Sequence, residues 1–165
     1  MPQPRDTDAT HILAQDHRTV EDLFEKYTNA NGKNAKVKLA SEICNELKIH
    51  TMIEEEIFYP ALRGRIPDDV LDEAYVEHDG AKVLINEIAT DDAEEEFYDA
   101  KVKVLQEQIE HHVKEEEKQK DNMFQQARAT DVDLNAVGEQ LLARKKELKQ
   151  QAQTAGLPEA ATTTM

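Results

Sequence analysis

Histidine and glutamate recur at one spacing in this sequence, as His50 with Glu54 and as His112 with Glu116. In a helix this spacing places both side chains on the same face, about 6 Å apart along the axis. An imidazole nitrogen and a carboxylate oxygen together are typical ligands of a transition-metal ion. Each group costs free energy to bury without a partner, so a bound ion would explain why both pairs fall on apolar stripes.

Four segments each place one histidine among apolar residues at the 4-3-4 spacing of one helix face. The first two stripes are Leu13, His17, Val20, Phe24 and Ile43, Leu47, His50, Glu54. The other two are Ala74, His78, Ala81, Ile85 and Leu105, Ile109, His112, Glu116. The same order therefore occurs twice: a single histidine on one helix, then a His-x3-Glu motif on the next. This repetition predicts two similar helical hairpins related by a pseudo-twofold axis. The predicted metal ligands are His17, His50, Glu54, His78, His112 and Glu116.

A single histidine on an apolar face is most often a core residue with a hydrogen-bond partner. Four in matching positions, together with two glutamates, favour a metal site over six independent coincidences. Because no thiolate accompanies them, iron or manganese is favoured over zinc. Six protein ligands exceed what one tetrahedral ion takes, so two iron ions are predicted. If both carboxylates bridge, a solvent-derived oxo or hydroxo bridge completes five ligands per ion and leaves one position open.

The second motif has an alternative register. Aligning its "EEE" run with that of the first motif would pair His111 with Glu115. The apolar stripe instead selects His112, because the face of His111 contains Gln108, a poor core residue. Three residues are kept as alternate ligands: His111, Glu115 and Glu117.

Other residues near the motifs are assigned ordinary roles. The glutamates that flank the two ligand glutamates are expected to form a solvated face. Tyr27, Tyr59 and Tyr75 are expected in the core and not at the metals, because tyrosine most often packs its ring among apolar residues.

The composition predicts an all-α protein, because Glu, Lys, Ala, Leu and Gln are abundant and only five Gly and five Pro occur in 165 residues. Caps and helix breakers predict helices over about 7–30, 34–64 and 69–89, then from the acidic run at 90–96 to about 128, and over 131–152. Short connections predict an up-down-up-down four-helix bundle with an additional C-terminal helix. The expected organisation is a bundle over 1–130, an accessory helix over 131–153 and a disordered tail over 154–165.

The balance of charge restricts the partners. Thirty-five acidic and twenty basic residues give a net charge of −15, which argues against nucleic acid or an anionic membrane as the main partner. The one cysteine, Cys44, fits a reducing compartment. The sequence has neither a signal-peptide pattern nor an apolar run long enough to span a bilayer. We therefore expect a cytoplasmic protein with no nucleic-acid or membrane partner.

The segments around the histidines resemble the hemerythrin-like HHE cation-binding family. They read "DHRTVEDLF", "IHTMIEEEIFYP", "EHDGAKVLI" and "EHHVKEEE", and the resemblance covers residues 10 to about 128. It implies a non-haem di-iron centre in a four-helix bundle, with dioxygen, peroxide or nitric oxide as the small ligand. Ferritin-like di-iron bundles are the natural competitor, but their Glu-x-x-His signature does not occur in this sequence.

One departure from the family pattern bears on function. Oxygen-carrying hemerythrins place a further histidine one turn from the third-helix ligand, whereas Ala74 and Lys82 hold those positions here. This favours redox turnover over reversible oxygen carriage. The alternative is an iron or oxygen sensor, or an iron-binding protein without catalytic turnover. A structural bundle whose polar core needs no metal is the third hypothesis.

Overall fold

The computed structural model describes residues 7–165, and the regular structure of this range is helical. In chain order the helices are α1 (Ala9–Asn29), α2 (Lys33–Ile53), π1 (Glu54–Phe58), α3 (Tyr59–Leu62), α4 (Asp68–Thr90), α5 (Tyr98–Val113), π2 (Lys114–Lys118), α6 (Met123–Arg128) and α7 (Leu134–Thr154). None of these described helices combines the length and the hydropathy that crossing a bilayer requires.

Four segments form an up-down-up-down four-helix bundle: α1, α2 with π1 and α3, α4, and α5 with π2. Consecutive segments pack against each other, α1 on α2, α2 on α4 and α4 on α5. Short connections make such neighbours antiparallel. Helix α7 packs outside the bundle against α1 and α2. This architecture confirms the predicted fold class.

Helix α7 approaches the first described residues so closely that it needs a glycine. A Cβ on Gly138 would lie 1.5 Å from the carbonyl oxygen of Thr7. Asp133 caps the helix by accepting a hydrogen bond of 3.0 Å from the backbone N–H of Ala136. The cap and the close approach together fix the position of this accessory helix.

The fourth bundle segment ends at Lys118 and does not continue to Arg128 as the sequence suggests. Asp121 adopts a left-handed backbone conformation with φ 56°, which a right-handed helix cannot contain. Asn122 then accepts a hydrogen bond of 2.9 Å from the backbone N–H of Gln125 and caps α6. These two residues therefore divide the expected fourth helix.

Each His-x3-Glu motif leads directly into a π-helix. The backbone N–H of Tyr59 donates to the carbonyl of Glu54, and that of Gln119 donates to the carbonyl of Lys114. Such i→i+5 bonds widen the turn and are frequent at functional sites. Pro60 follows π1 and has no N–H to give to an α-helical bond. The sequence predicts that Pro60 kinks or loosens this helix, and the structure has a widened turn just before it.

The apolar core is divided into two clusters, one at each end of the bundle. On α1, Leu13 belongs to the first cluster and Val20 to the second. His17 lies between them in sequence and is buried. The histidines of the other stripes are buried too, and together they form a polar layer where the two clusters meet.

The segment after α7 lies along α4, in place of the disordered tail expected from the sequence. Asn86 forms two hydrogen bonds with the backbone of Ala160, of 2.9 and 2.8 Å. The backbone N–H groups of Thr163 and Thr164 donate to the carboxylate of Asp79, which is completely buried. Because a buried carboxylate needs such donors, Asp79 and Asn86 hold the segment in place.

Candidate metal centre

The structure brings all six predicted ligands together in the polar layer. Four are histidines on α1, α2, α4 and α5, and two are glutamates in π1 and π2. Each is at most 5% exposed. They form two groups of three, and within each group the donor atoms lie within 4.8 Å of one another. The first group is His17, His50 and Glu116, and the second is Glu54, His78 and His112.

The two glutamates lie between the histidine pairs. Glu54 Oε1 is 2.8 Å from His50 Nε2 and 3.3 Å from His78 Nε2. Glu116 Oε1 is 3.3 Å from His17 Nε2 and 3.1 Å from His112 Nε2. At metal–ligand bonds of about 2.1 Å, separations of about 3 Å correspond to bond angles near 90–100°. Each carboxylate thus lies within reach of one histidine from each hairpin.

When the ring protons of the histidines are on Nδ1, five donor atoms of this layer are buried and have no hydrogen-bond partner among residues 7–165. They are His17 Nε2, His50 Nε2, both oxygens of Glu54 and Glu116 Oε1. Natural proteins almost always satisfy buried polar atoms. Unpaired nitrogen and oxygen lone pairs that converge on one space are what a cation would satisfy, so these residues fit a metal site.

The outer nitrogen of each histidine ring has a carboxylate partner 2.8–3.0 Å away. Such a partner holds the proton on Nδ1 and leaves the Nε2 lone pair directed at the metal. The four pairs are His17 with Glu117, His50 with Asp16, His78 with Glu55, and His112 with Glu77.

These partners repeat the pseudo-twofold pattern of the ligands. Asp16 immediately precedes His17 on α1, and Glu77 immediately precedes His78 on α4. Glu55 immediately follows Glu54 in π1, and Glu117 immediately follows Glu116 in π2. The expectation that Glu55 and Glu117 belong to a solvated face is therefore wrong, since their side chains are 12% and 14% exposed. The repeated acidic neighbour was the sequence signal for this role.

The structure separates the alternate ligands from the six. The side chain of His111 is 61% exposed, and its Nε2 faces Glu77 and Glu115 on the outside of the bundle. Glu117 accepts from His17 Nδ1 and pairs with Arg18, so its carboxylate lies behind the histidine and not among the inward donors. Of the two neighbouring histidines, His112 is thus the one that is buried in the polar layer.

Tyr59 lies at the site, contrary to the sequence-based assignment to the core alone. Its hydroxyl donates to Glu116 Oε2 at 3.0 Å and is 3.2 Å from His78 Nε2 and 3.3 Å from His112 Nε2. The π-turn explains its presence, because an i→i+5 bond brings Tyr59 close to the face of Glu54. One phenolic proton cannot satisfy all three acceptors, so Tyr59 alone does not pair the inward lone pairs.

Without a metal the site would bind extra protons. Burial alone lowers the pKa of an imidazole, but the Glu54 and Asp16 carboxylates outweigh it and raise the pKa of His50 to about 10. Burial acts likewise on His112, and Glu116 raises its pKa well above the usual value. The protons that balance these carboxylates occupy the positions that a cation would take.

A four-helix bundle that directs four histidines and two glutamates into one buried layer has the architecture of a hemerythrin-like cation-binding protein. The sequence profile of the hemerythrin HHE cation-binding domain matches residues 8–119. The chain therefore belongs to the hemerythrin HHE cation-binding family, as the motifs around the histidines suggested.

Two individual proteins resemble the chain. The crystal structure of a hemerythrin HHE cation-binding domain-containing protein from Mycobacterium kansasii superposes with a TM-score of 0.73 at 24% identity, covering 91% of this chain and 94% of that one. This likeness supports the fold. A DNA nickase from Nostoc sp. is 28% identical over 114 residues, which are 68% of this chain. The chain spans about a third of the length of that relative, 32%.

Proposed function

We propose that this protein binds two iron ions in the polar layer and uses them to bind or turn over dioxygen, peroxide or nitric oxide. The five unpaired inward-facing donor atoms support this proposal best. A polar core that served the fold alone would pair them. The ligand set of imidazoles and carboxylates without thiolate favours iron or manganese over zinc.

The ligands would divide evenly between two ions. Two imidazoles would bind each ion and both carboxylates would bridge: His17 and His50 on one side, His78 and His112 on the other, with Glu54 and Glu116 between. A pair of iron ions held in this way supplies Lewis acidity and redox chemistry toward a small ligand.

The surroundings favour a small ligand over a large one. Leu13, Val20, Leu47 and Ala81 are buried beside the ligands and exclude bulk water. A cavity of about 110 Å³ reaches His112 from the surface. This volume holds only a few water molecules, so it suits a diatomic molecule or peroxide.

Tyr59 can donate a hydrogen bond to such a ligand. Burial, reinforced by Glu116 and Glu54, raises its pKa well above the usual value, so the phenol stays protonated. Its O–H points at Glu116 Oε2, 3.0 Å away. It can therefore donate a hydrogen bond to a small molecule that arrives beside this carboxylate.

Redox turnover is favoured over oxygen carriage by the residues around His78. Ala74 has no ligating group. Lys82 is buried and its Nζ lies 2.8 Å from Glu55, outside the layer. No further imidazole is thus available from α4 within the described chain, and the oxygen-carrier pattern is incomplete.

Iron analysis followed by oxygen exposure tests the proposal. Protein reconstituted without oxygen should contain two iron ions per chain. The reduced form should oxidise in air without returning to the reduced state on degassing, and should decompose peroxide or bind nitric oxide. One ion or none per chain would refute the di-iron assignment, and full recovery on degassing would refute redox turnover.

The same measurements distinguish redox turnover from the second candidate function. That candidate is a sensor of iron or oxygen, or an iron-binding protein without turnover. That protein would bind two ions yet leave peroxide unchanged. Nucleic acid is not part of the proposal, because the net charge is −15 and the nickase shares only a third of its length with this chain. The buried Cys44 thiol is compatible with a reducing compartment such as the cytoplasm.

A further inference from the structure

A second group of metal-binding side chains lies outside the polar layer. His111 Nε2 is 3.2 Å from Glu77 Oε2 and 3.0 Å from Glu115 Oε1. The side chains of His111, Glu77 and Glu115 are 61%, 19% and 27% exposed. We call these three residues the outer group. None of them is among the six inward ligands.

The geometry of the outer group suits a divalent cation. With bonds of about 2.1 Å, these separations give angles at the ion of about 90–100°. His111 Nε2 carries at most one hydrogen and lies between two carboxylates, so one N–H cannot point at both. Three protein ligands at a half-exposed position leave room for water on the ion, so binding there would be weak and rapidly reversible.

A cavity is lined by two residues of the outer group, Glu77 and Glu115, and by two inward ligands, His112 and Glu116. Its volume is about 110 Å³, enough for several water molecules. Its acidic and ligating lining residues are Glu73, Glu77, Glu115, Asp121, His112 and Glu116. The first four are exposed or half-buried and the last two are buried, so carboxylates line the path from the surface to the metal centre.

One carboxylate belongs to both ends of this path. Glu77 Oε1 is 2.8 Å from His112 Nδ1, and Glu77 Oε2 faces His111. An ion in the outer group would therefore be separated from the buried centre by one glutamate, Glu77, and the imidazole ring of His112.

The pseudo-twofold axis provides an internal comparison. The residues that correspond to His111 and Glu115 in the first motif are Ile49 and Ile53, one position before His50 and Glu54. Both isoleucines are at most 3% exposed. The outer group thus exists on one side of the bundle only, and the pattern of ligands does not require it.

We propose that His111, Glu77 and Glu115 form a docking site for a divalent transition-metal cation, from which the ion passes through the cavity to the buried centre. This inference rests on the proposed metal function. Acidic clefts concentrate cations and raise association rates about 10–1,000-fold, which is the advantage such a site would give.

Loading kinetics with Co²⁺ test the docking site, because the visible spectrum of Co²⁺ changes when protein ligands replace water. The double variant His111→Ala/Glu115→Gln removes two outer ligands and leaves all six inward ligands intact. The control His11→Ala/Glu107→Gln removes another exposed imidazole and another exposed carboxylate, away from the cavity. Stopped-flow mixing of full-length metal-free protein with Co²⁺ gives the rate, and equilibrium dialysis gives the number of ions bound.

The double variant should load about tenfold more slowly, the lower end of the expected gain, and should still bind two ions at equilibrium. The control should load at the wild-type rate. Equal rates in the double variant and the wild type would overturn the docking site while leaving the proposed function intact. Loss of one ion at equilibrium would overturn it too, since the outer residues would then be ligands of the centre itself. A wild-type protein that binds no Co²⁺ and no Fe²⁺ would refute both proposals.

Discussion

Replacing Asp16 by Asn should weaken metal binding although Asp16 is not an inward ligand. Its Oδ2 is 3.0 Å from His50 Nδ1, its Oδ1 pairs with Lys145, and its side chain is 5% exposed. An asparagine keeps the shape but loses the charge, and its amide can turn an N–H toward the imidazole. His50 would then no longer be held as the tautomer that directs a lone pair from Nε2.

The expected loss is about 10–100-fold in affinity, or about 1.4–2.7 kcal/mol, which is typical when a carboxylate behind a metal-binding histidine is removed. Asp16 should lie at the upper end, because water barely screens it. Glu77→Gln should lie at the lower end, since the Glu77 side chain is 19% exposed.

Competition with a chromogenic chelator measures these affinities. Asp22→Asn is the matched control, because Asp22 lies on the same helix and makes an exposed ion pair with Lys26, away from the polar layer. Wild-type affinity in Asp16→Asn would show that the outer hydrogen bond does not orient the ligand. An equal loss in Asp22→Asn would assign the effect to net charge alone.

Three further predictions concern register, stability and pH. His112→Ala should lose half or more of the bound iron at equilibrium while His111→Ala keeps it, and the reverse result in elemental analysis would mean that the alignment of the "EEE" runs sets the register. Chelation of the metal should lower the melting temperature markedly. The reason is that a ligand at a thousandfold excess over its dissociation constant stabilises the native state by about 4 kcal/mol. An unchanged calorimetric transition after confirmed metal removal would favour the structural bundle that needs no metal. For metal-free protein, the pKa of His50 is raised to about 10, so the stability it contributes is complete below about 6.5 and declines as pH rises toward 10. Metal affinity should change in the opposite direction and increase with pH, because the ion displaces the proton from His50. Isothermal titration calorimetry in buffers of different ionisation enthalpy would measure the number of protons released. If no proton were released at pH 7, the raised pKa of His50 would be contradicted.

The sequence alone determined which helix faces turn inward and which six side chains they bring together. This succeeds because helix periodicity is a local property, so a histidine that interrupts an apolar stripe is recognisable without knowledge of the neighbouring helix. The choice of His112 over His111 followed from the same rule. The repeated order of the motifs also predicted that the two hairpins are related by a pseudo-twofold axis.

The tertiary structure decided what depends on contacts between helices or on departures from the regular period. Tyr59 reaches the site through a π-turn, and a 3.6-residue period cannot anticipate that turn. Glu55 reaches His78 across the bundle, a pairing set by how π1 and α4 pack and not by spacing within either helix. The path of the C-terminal segment depends on Asp79, whose demand for donors arises only because the fold buries it.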